Sequence, residues 1–378
     1  MILSAYIHIP FCSQKCDFCD FAAYAGLLPL EDQYCQVVCE EINKRLEQLD
    51  TKPTLTSIFY GGGTPGLVKP ANLAKIHNTL LGYVSCVDDM EVNLETTPHA
   101  ITKAKAQEWL EIGINRLSIG VESLQDEELQ AIGRDHNCHQ AVNGIKIACQ
   151  AGFSNINCDL MYGLPGQDLD SWRKSIQDLI LLACEYQQIK HVSAYALELA
   201  HHSPLLMRFP KDSKAYPPES EVVKMYEILV DLLGQAGFKQ YEIANFSQSG
   251  FQSIHNLNYW NNGEYFAFGV GAHRYFNGCR SSNWRSFNKY IEDPFGNETS
   301  EFIDQTTRLN EAMMLGLRKI DGIDLAAFKD DYGINILEKY AAKIDKLKTG
   351  GFVRLLKGKL SLSDKGILVS NSVIAEFI

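Results

Sequence analysis

Cys12, Cys16 and Cys19 fall within eight residues, in the run Cys12-Ser13-Gln14-Lys15-Cys16-Asp17-Phe18-Cys19, directly after a strand-like stretch. Three thiolates at that spacing can converge on one point from a single loop, and the thiolate is the form of cysteine that ligates metals. A structural zinc site normally takes four protein ligands. Only three cysteines cluster here, with His8 as the nearest conceivable fourth. An iron–sulfur cube held by thiolates suits three ligands better, because it leaves one iron free to bind another molecule. The remaining eight cysteines, Cys35, Cys39, Cys86, Cys138, Cys149, Cys158, Cys184 and Cys279, sit mostly in helical or strand patterns and read as small buried hydrophobes. The odd total of eleven argues for reduced thiols rather than a disulfide framework.

Such a loop needs a frame. Apolar, β-branched or aromatic runs recur at residues 5–9, 55–60, 91–95, 116–121, 155–161 and 192–197. Helical patterns at 31–49, 70–83, 102–112, 125–132, 139–151 and 169–183 lie between them. The alternation predicts about six βα units building a parallel sheet. In such sheets and barrels the ligands sit at the carboxyl ends of the strands. The polar and glycine-rich residues fall there: the cysteine loop after the first run, Gly61-Gly62-Gly63-Thr64-Pro65 after the second, Glu95 on the third, Glu122 after the fourth and Asp159 on the fifth. Beyond residue 200, 202–218 reads as a loop, 219–236 as a helix, 245–290 as an aromatic, asparagine-rich stretch, and 352–362 as a hairpin.

The cysteine signature resembles that of the radical S-adenosylmethionine (SAM) superfamily. Tyr6-Ile7-His8-Ile9-Pro10-Phe11-Cys12 and Gly61 to Pro65 are similar to the branch holding oxygen-independent coproporphyrinogen III oxidases and HemW-type haem chaperones. Arg134, Asp159 and an HNxxYW element, His255-Asn256-Leu257-Asn258-Tyr259-Trp260, follow in the family's order, so the resemblance runs along essentially the whole chain. It implies an α/β fold, an open parallel partial (β/α)6 barrel, with a smaller, mainly helical C-terminal domain. It further implies a 4Fe-4S cluster on Cys12, Cys16 and Cys19 whose fourth iron is chelated by SAM. One electron from the reduced cluster then cleaves SAM to methionine and a 5'-deoxyadenosyl radical.

By the same resemblance Gly62, Gly63 and Thr64 line the methionyl part of SAM, where glycine permits close backbone approach. Glu95 receives the ammonium and Arg134 pairs with the carboxylate, a contact suited to a planar guanidinium. Tyr6 and Phe18 flank the cofactor and Asp159 takes the ribose hydroxyls. Position 122 departs from the family, which has glutamine there. Glu122 still accepts hydroxyl hydrogen bonds but cannot donate.

Two features favour the chaperone over the oxidase. The oxidases carry a further cysteine two places after the third, where this chain has Phe21, and they have an N-terminal arm ahead of the first strand. The HNxxYW element is linked in the HemW-type family with haem, which makes His255 a haem-iron ligand by expectation, with Tyr259 and Trp260 as flat apolar surface for a porphyrin. Taken without the family, a buried histidine beside a packed aromatic pair is equally consistent. His273 reads as a core histidine, His201-His202 as a solvated pair, and Met313-Met314 as part of an apolar helix face.

The 378 residues, 46% hydrophobic, suffice for two or three domains. The expected division is a radical SAM core over 1–236, a connecting segment carrying HNxxYW over 237–300 and a winged-helix-like domain over 301–378. With 35 basic against 46 acidic residues the net charge of -11 disfavours nucleic acid as partner, and with it an RNA-modifying role. No apolar run approaches the roughly 18 to 20 residues of a membrane span. Residues 1–11 lack a basic n-region, so a cytoplasmic location is expected. The expected partners are haem, a haem-acceptor apoprotein and an electron donor such as reduced flavodoxin or ferredoxin.

Overall fold

The computed structural model describes residues 2–199 and 203–378; the His201-His202 pair lies outside the described residues. Six strands carry the frame: β1 (Ile2–Ile9), β2 (Thr54–Gly62), β3 (Ser85–Thr96), β4 (Arg116–Glu122), β5 (Ile156–Tyr162) and β6 (Ile189–Ala196). They pair in parallel in chain order. Between them run α1 (Glu31–Leu46), α2 (Pro70–Tyr83), α3 (Lys103–Ile112), α4 (Asp126–Ala131), α5 (Cys138–Ala151) and α6 (Leu169–Glu185). The expected open parallel α/β architecture is present, and the sheet does not close into a barrel.

Local signals set the helix ends. Asn137 and Gln140 form a reciprocal capping box that starts α5, and Thr102 caps α3 by accepting from the Lys105 amide. Gly113 and Gly152 end α3 and α5 in the left-handed conformation. Strand alternation divides the two faces. In β4, Leu117, Ile119 and Val121 enter the main hydrophobic core, whereas Arg116, Ser118, Gly120 and Glu122 face the interior cavity.

The stretch 237–300, expected as a connecting segment, instead extends the same sheet at both edges. It contains β7 (Lys239–Gln240), β8 (Asn245–Ser247), β9 (Tyr265–Phe268), β10 (His273–Phe276), β11 (Cys279–Ser282) and, running to 302, β12 (Thr299–Phe302). The twelve strands lie in the order β12-β11-β10-β9-β1-β2-β3-β4-β5-β6-β8-β7. β9 adds in parallel to β1, while β8 runs antiparallel to β6. The buried Glu41 on α1 fixes this segment: it accepts from the Gly269 amide, Asn283 Nδ2 and the Tyr290 hydroxyl.

A second core, from Leu309 to Phe377, surrounds a three-stranded antiparallel sheet that includes the expected hairpin, Val353–Leu356 with Lys359–Leu362. Met313 is buried there and Met314 sits at the surface edge, as an amphipathic helix requires. Three expectations fail on burial. Cys86 and Cys184 are exposed, so they are not packing residues, and His273, the first residue of β10, is exposed although Tyr275 on the same strand is buried.

Candidate functional site

The cysteine loop begins where β1 ends. Phe11–Cys12 pairs with Tyr24–Ala25, closing residues 13–23 into a loop over the strand ends. The glycine turn after β2 holds that loop from beneath. The Gly63 amide donates to Ile9 O at 2.8 Å and the Thr64 amide to Phe11 O at 2.7 Å. A Cβ on Gly63 would stand 2.7 Å from Phe11 O and 2.8 Å from Pro10 C, both backbone atoms. Gly62 adopts φ +113°, and a Cβ there would collide with the His8 ring. The amides of residues 62–64 are therefore spent within the protein, on Glu95 and the cysteine strand, rather than left for a ligand.

Above the strand ends opens a cavity of about 1030 Å³. It brings together Cys12, Cys16, Cys19, Phe18, Gly62, Gly63, Thr64, Glu95, Glu122, Arg134 and Asp159. The cysteines are half-buried and unpaired. Among the described residues, the one trio of His, Cys, Asp or Glu donors within 4.8 Å of one another is His99, Asp135 and His136, so the three sulfurs are spread more widely. A tetrahedral zinc would draw thiolates to about 3.8 Å of each other. The wider spread fits an iron–sulfur cube.

Glu95, Glu122 and Asp159 are the carboxylates that the strands β3, β4 and β5 turn into this cavity. Glu95 accepts from the Gly62 amide at 3.0 Å, and burial, then the nearby Asp159 charge, push its pKa up to about 8. Burial raises Glu122 to about 7 against the pull of Arg134, and raises Asp159 as well. Glu122 holds φ +64° beside an irregularity in the β4–β5 register, which turns its side chain towards Arg134, 3.6 Å away. Arg134 donates to Cys16 Sγ at 3.1 Å and Gly120 O at 2.8 Å, while its buried Nε has no partner. Acidic groups around the Arg134 guanidinium, whose Nε–H is unpartnered, suit a ligand that carries cationic centres, hydroxyls and a carboxylate. That charge pattern is SAM's, so the residues fit the cofactor.

Tyr6 departs from expectation. It does not line the cavity, because its hydroxyl turns to His8 Nδ1 at 3.0 Å and its ring packs on Phe59, which stands on the wall instead. Sequence reasoning also missed the groups that orient Asp159. Asn157 Nδ2 donates to Asp159 Oδ1 at 2.8 Å; Asn157 Oδ1 meets His191 Nδ1 at 2.7 Å and accepts from Ser193 Oγ at 3.1 Å. Their signal was present: polar residues at every second position of otherwise apolar strands.

His255 is likewise not placed as an open ligand. It lies on the short helix Ile254–Trp260, whose N-terminus is held by the Glu91 carboxylate. Its Nδ1 meets Ser57 Oγ at 2.9 Å, its Nε2 meets the Tyr259 hydroxyl at 2.9 Å, and its ring stacks on Phe59. Burial lowers its pKa to about 3. An axial ligand needs a free nitrogen facing a cavity; both nitrogens here are engaged inside the core. Tyr259 and Trp260, by contrast, line a second cavity of about 320 Å³ with Tyr265, Tyr275, Arg280 and Met314.

Comparison with known proteins agrees with this geometry. The radical SAM superfamily pattern matches residues 6–179 and the HemN C-terminal domain matches 303–369. A protein of Bacillus subtilis named heme chaperone HemW is 33% identical over 99% of both chains. One of the same name from Lactococcus lactis is 29% identical over 99% of this chain and 97% of its own. A mitochondrial radical S-adenosyl methionine domain-containing protein 1 of Danio rerio is 28% identical over 98% of this chain and 86% of its own. The Escherichia coli radical SAM enzyme HemN, coproporphyrinogen III oxidase, superposes with a TM-score of 0.85 at 19% identity, over 99% of this chain and 89% of that one, a likeness of fold. No helix among the described residues is long and apolar enough to cross a membrane. The paired sulfur loop and acidic cavity, together with full-length likeness to these relatives, make the chain a member of the HemW-type branch of the radical SAM superfamily.

Proposed function

We propose that this chain is a cytoplasmic haem chaperone, which binds haem and hands it to an acceptor apoprotein. The observation that carries the reading is the 33% identity, along the entire chain, to a relative named as a heme chaperone. In this reading Cys12, Cys16 and Cys19 hold a 4Fe-4S cluster. Glu95 takes the SAM ammonium, Arg134 its carboxylate, Asp159 and Glu122 its ribose hydroxyls, and Phe18 packs beside it. When bound, cluster and SAM supply one-electron chemistry, with electrons from a donor of the flavodoxin or ferredoxin class. The protein's part is to orient these groups and limit water: Asn157 aims Asp159, and the 301–378 unit, which we read as winged-helix-like, covers the cavity's far side through Ile367 and Leu368. Haem has an aromatic surface in Tyr259, Trp260, Tyr265 and Tyr275, beside the Arg280–Glu311 ion pair.

Anaerobic haem transfer, run beside product analysis with coproporphyrinogen III, tests the reading. A Soret band that develops on adding haem and passes to an apo-haem protein is expected, and Trp260→Ala should weaken haem binding at least tenfold. Formation of protoporphyrinogen without haem transfer would assign the chain to the decarboxylases instead.

A further inference from the structure

His99, Asp135 and His136 form a second cluster of ligating groups, on the cavity rim but apart from the cysteines. His99 lies in the turn Pro98–Ala100 after β3, and Asp135-His136 follow Arg134 between α4 and α5. One donor atom from each lies within 4.8 Å of the others. The separation of His99 Nδ1 from Asp135 Oδ1 is 3.4 Å. A tetrahedral ion with bonds of about 2.1 Å has donor–donor edges of about 3.4 Å.

Each of the three groups is oriented from behind. His136 Nε2 lies 3.1 Å from Val121 O. A carbonyl only accepts, so Nε2 carries the proton and Nδ1 of the neutral ring holds a bare lone pair. That Nδ1 is buried and has no hydrogen-bond partner, and the residue is only 5% exposed. His99 Nδ1 is also buried without a hydrogen bond, while its Nε2 faces Thr97 Oγ1 at 3.4 Å. Asp135 uses its other oxygen, Oδ2, to accept from Ser13 in the cysteine loop. Imidazoles whose far nitrogens are fixed by oxygen partners, beside a carboxylate with one oxygen free, have the outer-shell pattern of a metal centre.

We infer that His99, Asp135 and His136 bind one divalent transition-metal ion of the zinc class. Two imidazoles and a carboxylate are a borderline-soft donor set, which disfavours calcium and magnesium. The fourth position faces the partly exposed side of the trio, where the His99 and Asp135 side chains are 24% and 22% accessible, and takes water. Through Ser13 the ion braces the cysteine loop against the rim. The inference does not depend on what the cavity binds or on haem.

Protein with its iron–sulfur cluster reconstituted anaerobically is equilibrated with low-micromolar zinc, desalted, and assayed for zinc and iron. The expected result is one zinc per chain in addition to the iron, with a zinc X-ray absorption spectrum showing imidazole and no sulfur scattering. His99→Gln and Asp135→Asn, both on the accessible side, should each reduce zinc to background while the iron content of the His99→Gln protein stays at the wild-type value. Zinc retained in both variants, sulfur in the zinc shell, or no zinc on the wild type overturns the inference.

Discussion

The guanidinium of Arg134 donates to Cys16 Sγ at 3.1 Å while facing Glu122 at 3.6 Å, so one buried cation serves both a proposed cluster sulfur and a strained carboxylate. Removing it leaves Glu122 buried without a counter-charge. Glu122, already raised to about 7, then takes up a proton, so Arg134→Ala is expected to destabilise the fold by about 1 to 3 kcal/mol through its lost hydrogen bonds, and Arg134→Lys by less. Denaturant unfolding of the two variants checks this, and a loss below about 1 kcal/mol for Arg134→Ala would mean that those hydrogen bonds contribute little to the fold.

Cys16 has no structural duty beyond that contact, since it is half-buried and lies outside the hydrophobic cores. Cys16→Ala should therefore fold normally yet lose the brown absorbance and most of the iron of anaerobically reconstituted protein. Unaltered iron content in that variant refutes the ligand set.

Glu95 makes ligand binding depend on pH. Its carboxyl titrates near 8 rather than 4.5, so the fold favours the protonated form. That stability contribution is complete below about 4.5 and is lost as pH rises through about 8, while pairing with an ammonium requires the carboxylate. SAM affinity should accordingly rise with pH by up to about tenfold per unit between about 6 and 7.5, below the titration of the ligand's own α-amino group. Isothermal titration should register proton release over this range, and Glu95→Gln should bind more weakly with a flat profile. A flat profile in the wild type would remove Glu95 from the ammonium site.

His255 illustrates what residue type leaves unspecified. With both nitrogens hydrogen-bonded and the ring stacked on Phe59, His255→Ala is expected to cost about 2 to 4 kcal/mol through a cavity and a Tyr259 hydroxyl left without its partner. The haem Soret maximum should stay where it is in whatever fraction remains folded. A shifted maximum at unchanged stability would return His255 to the iron.

Much of the frame was legible because each parallel strand is a contiguous apolar run bounded by a capped helix; 70–83 is a helix as expected, and 102–112 differs only by its capping Thr102. β9 was not legible. It is four residues long, and its partner β1 lies more than 250 positions away, so no local period announces it. At the site, spacing identified the cysteines, Glu95, Glu122 and Asp159, whose places follow from being at strand ends. Period-two polarity in β5 and β6 carried the signal for Asn157 and His191, which the sequence reading missed, and only packing distinguishes Phe59 on the wall from Tyr6 behind it. Whether a histidine nitrogen is satisfied depends on distant chain, as Ser57 for His255 and Val121 for His136 demonstrate.

The glycine turn offers a test that separates backbone approach from backbone conformation. Gly63 needs no positive φ; it is required because a methyl group would press on Phe11 O and Pro10 C, the backbone that launches the cysteine loop. Gly166 is the converse, at φ +80° with nothing within 4 Å of the place an added methyl group would take. Gly166→Ala should therefore cost about 1 to 2 kcal/mol of conformational strain and leave iron incorporation intact. Gly63→Ala must move the loop itself, so at comparable stability its iron content after reconstitution should fall severalfold. Equal iron in the two variants would mean that the turn does not set the position of the sulfurs.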